Sequence, residues 1–256
     1  MLGAFLEDLA WDEAAAAIEA GSVVVVPIGA AAKEHGFHLP LSTDRRTARA
    51  LAEGIAAQLP VLVAPIIDVG YYPAFTDYPG SQHLRAETFI ALVTDILDGL
   101  VRQGARRIAI VNTGVSTEAP LQLATRAILE KHGVRVMTAD IRRLGRSADG
   151  VLSSPEGGHA DERETSVMLA IAPETVRLDR AVPETKAPSG ERPKGAGIFL
   201  GPSQLARNPK AAGHSASGAT GDPTRATPEK GRAILDAMIG DLVAGLRATF
   251  PDAFAG

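Results

Sequence analysis

The sequence predicts an α/β fold: a single three-layer domain over residues 1–256, with a mainly parallel sheet flanked by helices. Three observations carry that expectation. The run Val23-Val24-Val25-Val26 shows no alternation of apolar and polar residues, as a strand buried on both faces requires. Short apolar runs then alternate with amphipathic segments at the spacing of βαβ units, which favours parallel strands with helices on both sides. No internal repeat or domain boundary interrupts the pattern.

Trp11 to Ala20 has helical composition, with Asp12 and Glu13 near its start, where acids favour the helix dipole, and Gly21 as its stop. Val23 to Val26 is the first strand. Asp44 can cap a helix reaching about Gln58 that carries Ala48, Leu51, Ala52, Ile55 and Leu59 on one face, and Pro60 ends it. Val61 to Pro65 is a short second strand. Ile66 to Arg85 is a long loop holding all three tyrosines; loops of that length are usually functional or disordered, and aromatic density argues against disorder. Glu87 to Arg102 reads as a helix closed by Gly104, Arg107 to Asn112 as a third strand, and Thr113 to Thr117 as a small-residue turn. A helix from Glu118 to Lys131, a fourth strand from Val134 to Thr138 and an apolar helix through Ile171 follow. The stretch 183–228 is rich in Pro and Gly and is expected to be an extended surface arm, because an amphipathic helix, Glu229 to Leu246, still follows and needs a core.

With 45% hydrophobic and 22% charged residues, the chain has the composition of an ordinary globular protein. A net charge of -4 provides no global field toward nucleic acid or an anionic membrane, so a small-molecule substrate is the expected partner. Cysteine is absent, which excludes disulfides, thiolate zinc sites and cysteine nucleophiles. Any metal must be held by His, Asp and Glu. No apolar stretch approaches the ~20 residues of a membrane span, and acids stand where a signal peptide needs a basic start, so a cytoplasmic location is expected.

The chemistry is concentrated in residues 33–44, Lys33-Glu34-His35-Gly36-Phe37-His38-Leu39-Pro40-Leu41-Ser42-Thr43-Asp44. They follow the first strand, and parallel sheets bind ligands beyond the carboxyl ends of their strands. Imidazoles and carboxylates at this density suit zinc, manganese or iron and a metal-activated water; the plain alternative is a polar loop closed by a helix cap at Asp44. A second cluster, His159-Ala160-Asp161-Glu162-Arg163-Glu164, stands at the mouth of a helix. On that helix Asp161 and Glu164, or Glu162 and Ser166, share a face. Acids in a first helical turn are also ordinary dipole partners, and it is His159 that marks this group.

These motifs resemble those of the creatininase (creatinine amidohydrolase) family, over essentially the whole chain. His35-Gly36-Phe37-His38-Leu39-Pro40-Leu41-Ser42-Thr43-Asp44 matches the family's His-Gly-x-His-Leu-Pro-Leu-x-x-Asp signature, and Tyr78-Pro79-Gly80-Ser81 is similar to its Phe-Pro-Gly-Thr loop. His159-Ala160 with Glu164-Thr165-Ser166, and the Gly221-Asp222-Pro223 segment, complete the likeness. The resemblance implies a metal-dependent hydrolase of carbon–nitrogen bonds in small amides or lactams, with two divalent ions and commonly a hexamer. By position, His35 and Asp44 match metal ligands, Asp44 the bridging one, and His159 a catalytic proton shuttle. Thr165 and Ser166 match structural positions.

Two departures fall on family ligands. Lys33 stands where the family has a Glu, and Thr113-Gly114-Val115-Ser116-Thr117 replaces a Gly-His-Gly-Gly-Asn-like turn. The expected set is therefore rearranged, with Glu34, His35, Asp44 and His83 as metal ligands, His159 and Glu162 as catalytic groups, and His38, Ser81 and Tyr78 toward substrate. The cofactor is one or two divalent ions, zinc first, then manganese or iron, and the working form a homo-oligomer, hexameric by resemblance. The alternative is a non-catalytic small-molecule-binding or assembly protein that retains the fold. A weaker third reading is a metal-dependent enzyme of another class, such as a deformylase or sugar-phosphate hydrolase.

Overall fold

The computed structural model describes residues 2–154, 157–184, 205–210 and 214–255. Its strands are β1 (Ala4–Phe5), β2 (Val24–Ile28), β3 (Leu62–Val63), β4 (Ile108–Asn112), β5 (Val136–Asp140), β6 (Gly157–His159) and β7 (Thr220–Gly221). Its α-helices are α1 (Trp11–Glu19), α2 (Thr43–Gln58), α3 (Ala86–Arg102), α4 (Glu118–His132), α5 (Glu162–Ile171) and α6 (Pro228–Thr249).

The valine run explains the layering. Val24, Val26 and Ile28 enter one apolar core, while Val23 and Val25 enter the other. Alternate side chains of an extended strand point to opposite faces, so a strand covered on both sides is apolar throughout. Phe89, Val93 and Leu97 of α3 and Leu121 and Ile128 of α4 fill the first core; Leu51 and Ile55 of α2 and Ile234, Met238 and Leu242 of α6 fill the second. Each fully buried side chain of this kind contributes about 1.5–3 kcal/mol. The sheet is parallel throughout, in the order β1-β3-β2-β4-β5. Helix α5 sits against α6 so closely that a Cβ on Gly231 would overlap the carbonyl of Ser166.

The structure differs from the sequence reading in three places. Ala4 and Phe5 form an edge strand beside β3, too short to show a period in the sequence. The strand expected from Val134 to Thr138 runs instead from Val136 to Asp140, where Asp140 caps the next turn through Arg142 N at 2.9 Å. β6 and β7 form a separate antiparallel pair. Within the stretch expected to be a surface arm, 185–204 and 211–213 lie outside the described residues, and much of the rest turns inward. Leu205, Ala206, Ser215, Ser217 and Ala219 are buried. Leu205 N donates to Ala74 O at 3.1 Å and Tyr78 Oη to Ser215 O at 2.8 Å, so this segment packs on the tyrosine-rich loop. Among the described residues no helix is long and apolar enough to cross a membrane.

Candidate metal centre

The central strands end in backbone that brings the loop after β2 close to the sheet. Gly29 lets the carbonyl of Asp44 approach where any Cβ would overlap it. Thr113, just past β4, directs its hydroxyl between Ile28 O at 3.0 Å and Asp44 O at 3.1 Å. The first turn of α2 is thereby tied to the carboxyl edge of β2 and β4, and Asp44 lies 3% exposed at that edge.

Asp44 faces two different groups. Its Oδ2 is 2.7 Å from Lys33 Nζ, a buried ion pair. Its Oδ1 lies 3.0 Å from His35 Nε2. Burial alone would raise the Asp44 carboxyl, but Lys33 and His35 outweigh it and hold it below the ordinary carboxylate range. The Lys33 ammonium also stands 4.9 Å from the Phe75 ring centroid and 5.6 Å from that of Tyr72. The His35 ring is fully buried, and its Nδ1 donates to Lys33 O at 2.9 Å. Nε2 then presents a lone pair to Asp44 Oδ1, and two acceptors so close are held by a shared proton or by a cation.

His159 arrives from the end of β6 and stacks its ring 4.8 Å from that of His35 and 4.5 Å from Phe75. Its Nε2–H donates to Glu34, 3.0 Å from Oε2 and 2.9 Å from the carbonyl oxygen. Burial would lower the imidazole and raise the carboxyl; the bond between them outweighs both effects, so His159 is shifted up and Glu34 down. The next residue, Ala160, is held at φ 48°, in the left-handed region, at a cost of about 1–3 kcal/mol. That conformation lets Ala160 N donate to Glu164 Oε2 at 2.6 Å and brings the same oxygen to 3.8 Å from His159 Nδ1.

Ligand atoms of His35, His159 and Glu164 all lie within 4.8 Å of one another. Two imidazoles and a carboxylate form a donor set that suits zinc, manganese or iron, and three protein ligands leave a position open, as in catalytic sites. With the His35 lone pair facing a carboxylate, this side of the centre fits a single divalent ion. Glu164 is a candidate ligand outside the set expected from the sequence; its sequence signal is the Glu-Thr-Ser motif after His159.

Other expected site residues are placed differently. Glu162, expected to be catalytic, turns away: its carboxylate accepts from Ser153 N, from Ser154 N at 2.7 Å and from Lys230 Nζ at 2.5 Å, which hold it below the ordinary carboxylate range against its burial. His83, expected as a ligand, is exposed, and its Nδ1 accepts from Tyr72 N at 2.9 Å. Ser81 accepts from Glu34 N at 3.0 Å and so fixes that residue's backbone. Tyr78 is spent on Ser215, its hydroxyl pushed up to about 12 by burial and by the charge of Glu34. His38 pairs through Nε2 with Thr165 Oγ1 at 2.8 Å. The turn after β4 holds no ligand: Asn112 Nδ2 donates to Gly114 O at 2.7 Å, and Gly114 N and the Thr117 hydroxyl donate back to Asn112 Oδ1.

A cleft of about 470 Å³ opens beside this group, at the carboxyl edge of the sheet, with Asp44, Thr113, Arg142, Asp161, Arg163 and Glu164 in its wall. Asp161 caps α5 through Glu164 N at 3.0 Å, and burial together with the charge of Glu164 pushes its carboxyl up to about 6.

The creatininase family model, described as creatinine amidohydrolase, matches residues 7–246. The mycofactocin precursor peptide peptidase of Mycobacterium tuberculosis is 34% identical over 231 residues, covering 86% of this chain and 82% of that protein. The creatinine amidohydrolase of Pseudomonas putida is 28% identical over 278 residues, covering 96% and 97% respectively. A solved mutant creatininase described as Zn-Zn type superposes with a TM-score of 0.78 at 28% identity, covering 96% of this chain and 98% of that one.

Proposed function

On the premise that the chain belongs to the creatininase family and is one of its amidohydrolases, we propose that it hydrolyses the carbon–nitrogen bond of a small amide or cyclic amide, with a divalent cation held by His35, His159 and Glu164. The observation that carries this reading is the convergence of those ligand atoms within 4.8 Å beside a cleft sized for a small molecule. Such an ion, when bound, supplies Lewis acidity and brings the pKa of a coordinated water toward neutrality.

The chain's own residues hold this arrangement. Glu34 accepts the His159 Nε2–H and leaves Nδ1 turned to the Glu164 side; the carbonyl of Lys33 does the same for His35 Nδ1–H, leaving Nε2 as the ligand atom. The resemblance assigns proton transfer to His159. As a ligand whose other nitrogen is bonded to Glu34, it has no nitrogen left for a mobile proton. Asp161, in the cleft wall with its carboxyl pushed up to about 6, carries the proton to the leaving nitrogen. The substrates to screen are lactams, hydantoin-like rings and short peptides, and by the same resemblance the working form is a homo-oligomer.

The test combines metal content and turnover. His35→Ala and Glu164→Gln are expected to lose both bound metal and hydrolysis, whereas Asp161→Asn, which can still cap α5, keeps the metal and loses turnover. Purified protein that carries no metal and takes up neither zinc nor manganese would sink the reading.

A further inference from the structure

We infer that the Lys33 ammonium is a built-in cation in the place beside Asp44 where a second divalent ion would stand, so that the centre takes a single exchangeable metal per chain. The inference rests on the metal reading above and deepens it.

Both oxygens of Asp44 are already faced, Oδ1 by His35 Nε2 at 3.0 Å and Oδ2 by Lys33 Nζ at 2.7 Å. On the Lys33 side the neighbours are the rings of Phe75 and Tyr72, with centroids 4.9 and 5.6 Å from Nζ. Aromatic faces stabilise an ammonium through their quadrupole, while a hard divalent ion needs oxygen or nitrogen donors. In the nearby turn after β4, Asn112, Gly114 and Thr117 satisfy one another. Among the described residues, His35, His159 and Glu164 are the one group of His, Asp and Glu assembled closely enough for an ion. A second ion bound to Asp44 Oδ2 would also stand against the ammonium, and the like charges would repel in a buried setting.

A relative described as Zn-Zn type superposes over nearly the whole chain. Here a lysine of the chain itself compensates Asp44 through an ion pair, in a form that chelators do not remove. The remaining ion position draws its ligands from His35 and from the β6–α5 corner and does not use Asp44 Oδ2, the oxygen that Lys33 faces.

Equilibrium dialysis of the metal-stripped full chain against zinc, with metal counted by mass spectrometry, tests this. Wild type and Lys33→Arg are expected to bind a single zinc, and Lys33→Glu to bind a pair, the additional ion more weakly and dependent on Asp44. A pair of zinc ions in wild type, or an unchanged single ion in folded Lys33→Glu, would overturn the role given to Lys33 and leave the proposed hydrolase intact. An empty wild type overturns the metal reading itself. Circular dichroism melting of each variant reports folding, and the wild-type count decides the question even if Lys33→Glu does not fold.

Discussion

Lys33 and Glu34 are adjacent in the chain, yet they bury opposite charges against opposite partners. Lys33 meets Asp44 within its own loop, at 2.7 Å, whereas Glu34 meets His159 across 125 residues of sequence, at 3.0 Å. The first pair joins a lysine ammonium to a carboxylate. The second involves an imidazole, which can exchange its proton or act as a ligand. Adjacency in sequence thus does not mean equivalence of role: the first pair compensates charge and the second positions an adjustable group.

The largest effect should come from breaking the first pair. In metal-stripped protein, Lys33→Met leaves Asp44 buried with only His35 facing it and is expected to cost about 3–5 kcal/mol, read from urea denaturation. Adding Asp44→Asn should recover most of it; a single variant as stable as wild type would remove the distinction between the pairs. Glu34→Gln should be milder, about 1–3 kcal/mol, because the amide oxygen still accepts from His159. Its main effect falls on the centre, with zinc affinity in a chelator competition reduced roughly 10–100-fold through loss of the carboxylate charge that makes His159 a more basic ligand.

Glu162 provides a control outside the centre. Glu162→Gln should cost about 1–3 kcal/mol by loosening the clamp between Lys230 and the Ser153–Ser154 backbone, with zinc uptake unchanged. A further effect is a pH dependence. Burial, then the neighbouring His35, push His38 down to about 4, below its ordinary value near 6.5. Between those values the unfolded chain binds the proton that the folded one refuses, so this stabilisation is complete above pH 6.5, declines as pH falls and is gone below 4. At about 1.4 kcal/mol per pKa unit the loss over that interval is at most about 3 kcal/mol, and it should be absent from the difference between pH 7 and pH 4.5 denaturation curves of His38→Gln.

Much of this molecule was legible from local pattern. Val23 to Val26 determined a strand covered on both faces, the apolar stripes of α2, α3 and α6 determined what covers it, and residues 33–44 marked the loop that brings His35 to the candidate centre. These features recur at the periods of strand and helix, so a single chain displays them. Pairing between distant ionisable groups has no such period. Glu162 and Glu164 lie two positions apart in the first turn of α5, yet tertiary packing turned Glu162 to Lys230 and Glu164 toward His159. The same packing set the Lys33 ammonium between Asp44 and two aromatic rings, because a buried charge must be compensated by whichever group the assembled fold brings within reach, and it left His83 exposed and bonded to a backbone amide.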